Sequence, residues 1–227
     1  MARTELAEAR HEARVEASFF LLIALGLLVA LGTVSIHENW HLRGDTIGGW
    51  LWLVLCVPEL ALLGFIFFSA RMDDHVRVHR ILQGLFVLVV LGTAIGLAVV
   101  VYSLLTQQLH GGQLFATAVV VWFTNVIVFG LWYWTLDGGG PVERALHHRE
   151  LRDFQFPQDE NPQLASSTWY PRLEDYTYVA FTNAIAFSPT DAMPLTRWAK
   201  VLMTLESALS VVAILVVAAR AVNVVGS

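Results

Sequence analysis

A chain of 227 residues that is 56 % hydrophobic and only 15 % charged, with a mean hydropathy of +0.59, is too apolar for a water-soluble globule and long enough for several membrane crossings. A formal net charge of −5 gives no basic footprint for nucleic acid. The single cysteine, Cys56, excludes an intrachain disulfide.

Residues 1–16 are rich in Ala, Glu and Arg, which predicts a short charged helix leading into the membrane. No small-residue cleavage site follows 17–36, so that run reads as a retained first span rather than a removable signal. Three more apolar runs, 47–69, 81–105 and 113–136, each reach the ~20 residues a crossing needs. Together 17–136 form a four-helix transmembrane region. Glu59, directly after Pro58, lies in the middle of the second span; a carboxyl there is a candidate relay, or an acid hydrogen-bonded to a neighbouring helix. Asn125 in the fourth span reads as a polar contact between helices.

Residues 137–173 are the one sizeable polar insert. Asp137-Gly-Gly-Gly-Pro141 stops the fourth span, and 142–153 predicts a short amphipathic helix at the membrane surface. The segment 154–171 holds three prolines and reads as an extended, ordered loop. Glu174 and Asp175 then open an apolar helix over 175–187, with acids suited to the positive end of its dipole. A run of 10–14 apolar residues is short for a crossing and more often dips in and returns. It ends at Ser188-Pro189-Thr190-Asp191, and a full-length apolar helix, 201–219, follows at once. The fold class expected is therefore all-α and polytopic: five transmembrane helices plus one short re-entrant helix in 174–227.

Charge orients this arrangement. With a re-entrant segment, every Lys and Arg except Arg43 and Arg220 falls on one side, which the positive-inside rule places in the cytoplasm with the N-terminus. If the short helix spans instead, Arg197 and Lys200 change sides and Arg220 returns, so charge fixes the N-terminus and leaves the C-terminus open. Trp40, Trp50 and Trp52 mark one interface, and Trp132, Tyr133 and Trp134 the other.

The stretch Phe181–Arg197, FTNAIAFSPTDAMPLTR, resembles the pore region of tetrameric potassium channels, where an aromatic-rich helix leads to a Thr-Val-Gly-Tyr-Gly-Asp filter, then Pro and Thr. Phe181, Asp191, Pro194 and Thr196 match that pattern, and the span after them looks like an inner pore helix. Where the filter has Val-Gly-Tyr-Gly, this chain has Phe187-Ser188-Pro189-Thr190. Without the glycines, and with the fixed φ of proline, the ladder of carbonyls that replaces a potassium ion's hydration shell is not expected. Entry from the cytoplasm, as in the inverted pore loop of ionotropic glutamate receptors, fits the charge distribution better. The last hundred or so residues are also similar to bacterial integral membrane proteins of unknown function that share Phe-x-x-x-x-x-Phe-x-x-Thr/Ser-Asp.

These resemblances imply a bacterial inner-membrane protein that passively conducts a small inorganic ion. One hairpin cannot enclose a pathway, so a homo-oligomer is expected, a tetramer by analogy. Phe187, Ser188, Pro189, Thr190 and Asp191 would form the constriction, and Asn183, Glu206, Ser210 and Glu59 are pore-lining or relay candidates. Acids at Glu206 and Asp191 would favour cations. No cofactor is required by this reading, and the lipid bilayer is the other partner.

An enzyme is the alternative. His37-Glu38-Asn39-Trp40-His41 matches H-E-x-x-H, which on a helix places two imidazoles on one face to bind zinc beside a general-base glutamate. Leu136-Asp137-Gly138 resembles the later Leu-Asp-Gly of intramembrane zinc proteases, yet Asp137 is expected a bilayer thickness away. His37, His41 and His110 on one side offer a milder Zn²⁺ site. A non-conducting membrane scaffold is the third reading.

Overall fold

The computed structural model describes residues 2–40, 47–69, 75–106, 111–141, 143–144, 152–161, 163, 165–166, 169–186 and 192–225. Its long helices are α1 (Ala2–His37), α2 (Ile47–Ser69), α3 (His75–Thr106), α4 (Gly111–Leu136) and, after two short ones, α7 (Arg197–Val225). Each carries a stretch long and apolar enough to cross a membrane, the fourth running on into the turn after α4: Ala13–His37, Trp50–Ser69, Arg77–Thr106, Gly112–Gly139 and Arg197–Ala219. The short helices are α5 (Pro157–Glu160) and α6 (Leu173–Ala186). Two-residue strands β1 (Phe154–Gln155) and β2 (Met193–Pro194) pair antiparallel, Phe154 opposite Pro194 and Gln155 opposite Met193.

The charged N-terminal stretch is not a separate helix. It runs unbroken into the first span, because neither Gly nor Pro interrupts residues 2–25 and Ala, Glu and Arg are strong helix formers. Pro58 stands inside α2, where it withholds one backbone donor without ending the helix. The predicted helix over 142–153 does not reach its expected end: Arg152 and Asp153 lead into β1 instead, and 145–151 lie outside the described residues.

The chain divides into two compact units, Met1–Phe20 with Phe129–Ala208, and Leu21–Val128 with Leu209–Ser227. In the second, α2 packs along α3, and a core of Trp52, Leu97, Val100, Leu114, Val121 and Val216 fills the interior. Trp40 and Trp52, expected at an interface, are buried in that core, whereas Trp50 is exposed. The first unit has an aromatic interior in which Tyr133 lies 5.1 Å from Phe154, and Phe156 lies 5.2 Å from Tyr176.

Two features of the first unit depend on glycine. Gly138, Gly139 and Gly140 have φ of 57°, 81° and 105°, a left-handed run that other residues adopt only at a cost. It ends α4 and turns the chain, so that Gly140 C=O receives the Arg144 N–H at 3.0 Å. Gly130 lets α6 approach α4 closely: a Cβ there would sit 2.9 Å from Thr177 Cα.

Candidate functional site

The end of α4 is tied by one buried carboxylate. Asp137 is fully buried, and its Oδ1 accepts the backbone N–H of Asp153 at 2.6 Å and of Phe154 at 3.0 Å. Its Oδ2 accepts the Tyr176 hydroxyl. Arg144, 5 % exposed, donates from Nη1 to the Trp134 carbonyl at 2.6 Å and to the Asp137 carbonyl. Its guanidinium lies over the Tyr176 ring, 5.0 Å from the centroid. Burial lowers the Arg144 pKa from its ordinary value, opposed by nearby Tyr176 and Asp137. Burial likewise pushes the Tyr176 phenol well up; Arg144 opposes this, and the adjacent Asp137 adds to it.

The segment leading into α7 is fastened to the same place. The Leu195 N–H donates to the Asp153 carbonyl at 2.8 Å, and the Thr196 hydroxyl to Asp153 Oδ1 at 2.5 Å. With the β1–β2 pairing, these bonds put 193–196 beside the residues that Asp137 holds. Tyr176, in the first turn of α6, reaches Asp137 as well.

A second carboxylate joins α6 to the first part of α7. Glu206 is fully buried, and its Oε2 accepts the Tyr133 hydroxyl and Asn183 Nδ2, both at 2.6 Å. Asn183 Nδ2 also lies 2.9 Å from the Met203 carbonyl, and Ser207 Oγ donates to Asn183 Oδ1 at 3.2 Å. A buried carboxylate demands such donors, because burial removes the water that would otherwise solvate it. The cluster therefore locks the far end of α6 onto α7 through side chains from three helices.

The other residues singled out in the sequence fall elsewhere. Ser210 is fully buried in the second unit and accepts Asn125 Nδ2 at 3.0 Å. Glu59 is 1 % exposed in that unit. Phe187, Ser188, Pro189, Thr190 and Asp191 lie outside the described residues, as do His41 and His110. His37 is the last residue of α1; its side chain is 87 % exposed and 3.5 Å from Glu38. Asn39 has a φ of 49°, so no continuous helix carries the H-E-x-x-H residues. Asp137, with both its oxygens taken by protein donors, is a structural clamp. Among the described residues, no group of three His, Cys, Asp or Glu is placed to hold a metal ion.

Sequence reasoning missed Tyr133, Arg144, Asp153 and Tyr176. Tyr133 reads in the sequence as an interface aromatic and Arg144 only as one of the basic residues on the cytoplasmic side; Tyr133 is a buried donor to an acid, and Arg144 a buried donor to the carbonyls that end α4. A usable signal was the Asp-Gly-Gly-Gly run, since an acid at a forced chain reversal is well placed to collect backbone donors.

Compared with models of known protein families, with curated proteins and with solved structures, the chain matches none. Its class rests on the helices themselves. Among the described residues five helices are long and apolar enough to span, which makes this a helical, multi-pass membrane protein.

Proposed function

We propose that the chain is a pore-loop membrane protein whose α6 enters the bilayer and returns, and that a homo-oligomer of it passively conducts a small cation. One observation carries this reading: both ends of 173–192 are fastened to one place. Tyr176 near the start binds Asp137, and Met193–Pro194 at the far end pairs with the strand whose Phe154 N–H binds the same Asp137. A 14-residue helix rises about 21 Å, short of the ~30 Å hydrocarbon core. Glu206 and Asn183 brace its far end against α7. In this reading they hold the hairpin while the tip, 187–191, forms the constriction, and Asp191 and the negative end of the α6 dipole favour cations.

The N-terminus is cytoplasmic on the charge distribution, in a bacterial inner membrane, and α7 ends outside. Selectivity for potassium is not part of the proposal, because the filter glycines are absent. Four copies are the number suggested by the potassium-channel resemblance.

Flux through purified protein in liposomes tests conduction. We expect monovalent cation flux, reduced on the order of tenfold by Asp191→Asn, equivalent to losing about 1.4 kcal/mol of attraction for the ion. A well-folded oligomer that passes no ion would overturn conduction and leave a scaffold. Topology has a separate test, because the sole native cysteine, Cys56, is buried. Ser227→Cys should react with an impermeant thiol reagent from outside intact cells; reaction only from the cytoplasmic side would rule out the re-entrant arrangement.

A further inference from the structure

The second unit holds a buried acid that has no part in the hairpin and constriction proposed above. Glu59 lines a cavity of ≈ 10 Å³ together with Trp52 from its own helix, Leu28 from α1, Thr93 from α3 and Thr124 from α4. Its Oε2 has no hydrogen-bond partner among the described residues, and neither does Thr124 Oγ1, although Glu59 is 1 % and Thr124 2 % exposed. Thr93 Oγ1 gives its proton to the Val89 carbonyl at 3.2 Å, which leaves its lone pairs available. Two residues that line one cavity each carry a buried polar atom with no hydrogen-bond partner among the described residues, and one ligand in that cavity could satisfy both.

The chemistry of that partner follows from charge and size. A carboxylate in the hydrocarbon region costs several kcal/mol unless a positive charge accompanies it. Among the described residues, no Lys, Arg or His lines the cavity, and no second acid does. The nearest titratable group on α2 is Cys56, whose thiol lies 3.4 Å from the Trp52 carbonyl as a donor. One negative charge balances one monovalent cation; a divalent ion would leave an excess charge and would keep several waters that do not fit. Carboxylate and hydroxyl oxygens are hard donors, unsuited to soft metals. A volume of about 10 Å³ is close to the room one water needs, which is also the scale of a sodium ion.

We propose that this cavity is a binding site for one small monovalent cation, held as Na⁺ or as a proton on the carboxyl, with Glu59 supplying the charge and Thr93 and Thr124 the neutral oxygens. The full chain in detergent micelles, treated with dicyclohexylcarbodiimide and digested for mass spectrometry, tests it. This reagent adds to protonated carboxyls in apolar surroundings and leaves a stable adduct. Glu59 should be modified, at a rate that falls about tenfold per pH unit above its midpoint. Sodium in place of choline should protect it if Na⁺ is the ligand; protection by pH alone identifies the proton. Thr124→Val should keep the reaction but weaken sodium protection several-fold, or shift the midpoint in the proton case, independently of whether Glu59→Gln folds. Modification that responds to neither pH nor sodium, or a folded protein whose Glu59 never reacts, would overturn the site.

Discussion

Glu206 and Glu59 are buried to nearly the same degree, 0 % and 1 % exposed, yet the donors around them differ. Glu206 offers Oε2 to two short donors from two different helices. Glu59 lines a cavity, and no described residue bonds its Oε2. Burial alone therefore does not assign a role to a membrane acid. The donors decide it: an acid that already accepts two side-chain donors fastens helices, and an acid whose Oε2 meets no donor among the described residues can take up a ligand. Asp137 goes further than Glu206, since both its oxygens accept protein donors within the first unit.

Removing the claimed acids should cost most. Glu206→Ala strands a buried phenol and an amide, and we expect a loss of about 2–4 kcal/mol in unfolding free energy measured in micelles. Tyr133→Phe removes one of the two donors and should cost about 1 kcal/mol, with a double-mutant cycle showing that the two losses overlap. A Glu206→Ala protein as stable as the parent would erase the distinction from Glu59. Asp137→Ala leaves two backbone N–H groups and the Tyr176 hydroxyl without an acceptor, and should cost about 3 kcal/mol. Protease sensitivity should then rise around 193–196, because Asp153 is no longer held in place to bind Leu195 and Thr196.

The Asp137 cluster also has a pH signature. The Tyr176 phenol is pushed up in the folded chain by burial first, with Asp137 adding and Arg144 opposing. A group with a raised folded pKa binds its proton more tightly when folded. Its stabilising contribution is complete below the unfolded value of about 10 and is lost as pH rises above it. Stability should fall on the alkaline side of about pH 10, and Tyr176→Phe should remove that part of the fall. Gly130→Ala is a smaller steric probe of the same unit. Its Cβ would meet Thr177 Cα at 2.9 Å, backbone that must move, for an expected cost of about 1–3 kcal/mol. No loss on this substitution would mean that α6 is free to back away from α4.

The helices were legible in the sequence because length and hydropathy are local. The run expected over 17–36 appears as the span Ala13–His37, and the short helix expected over 175–187 as Leu173–Ala186. Glu59, Asn183, Glu206 and Ser210 were also legible as polar residues inside apolar helices. What joins them was not. Tyr133 meets an acid 73 positions later, and Asp137 meets a hydroxyl 39 positions later. Such pairs are set by how helices and loops pack, and nothing in the neighbouring residues of Tyr133 separates a buried donor from an interfacial anchor. The H-E-x-x-H pattern shows the converse. Its spacing is complete in the sequence, but the left-handed Asn39 denies it the helix its chemistry requires.

Glu59→Leu should have the smallest effect on stability and the opposite sign. Leucine adds apolar contact beside Trp52 and Leu28 and removes a carboxyl whose Oε2 returns no hydrogen bond within the described chain. Replacing a buried charged or polar group by a well-packed apolar one is often neutral or stabilising. We expect a gain between zero and about 1 kcal/mol when the parent is measured without sodium at alkaline pH. With its cation bound the parent should recover that difference, because a ligand held only by the folded state adds to its stability. The crossing of the two stabilities as sodium is added or pH is lowered separates a ligand site from a structural acid: a structural acid would make Glu59→Leu less stable than the parent under every condition, as Glu206→Ala is expected to be.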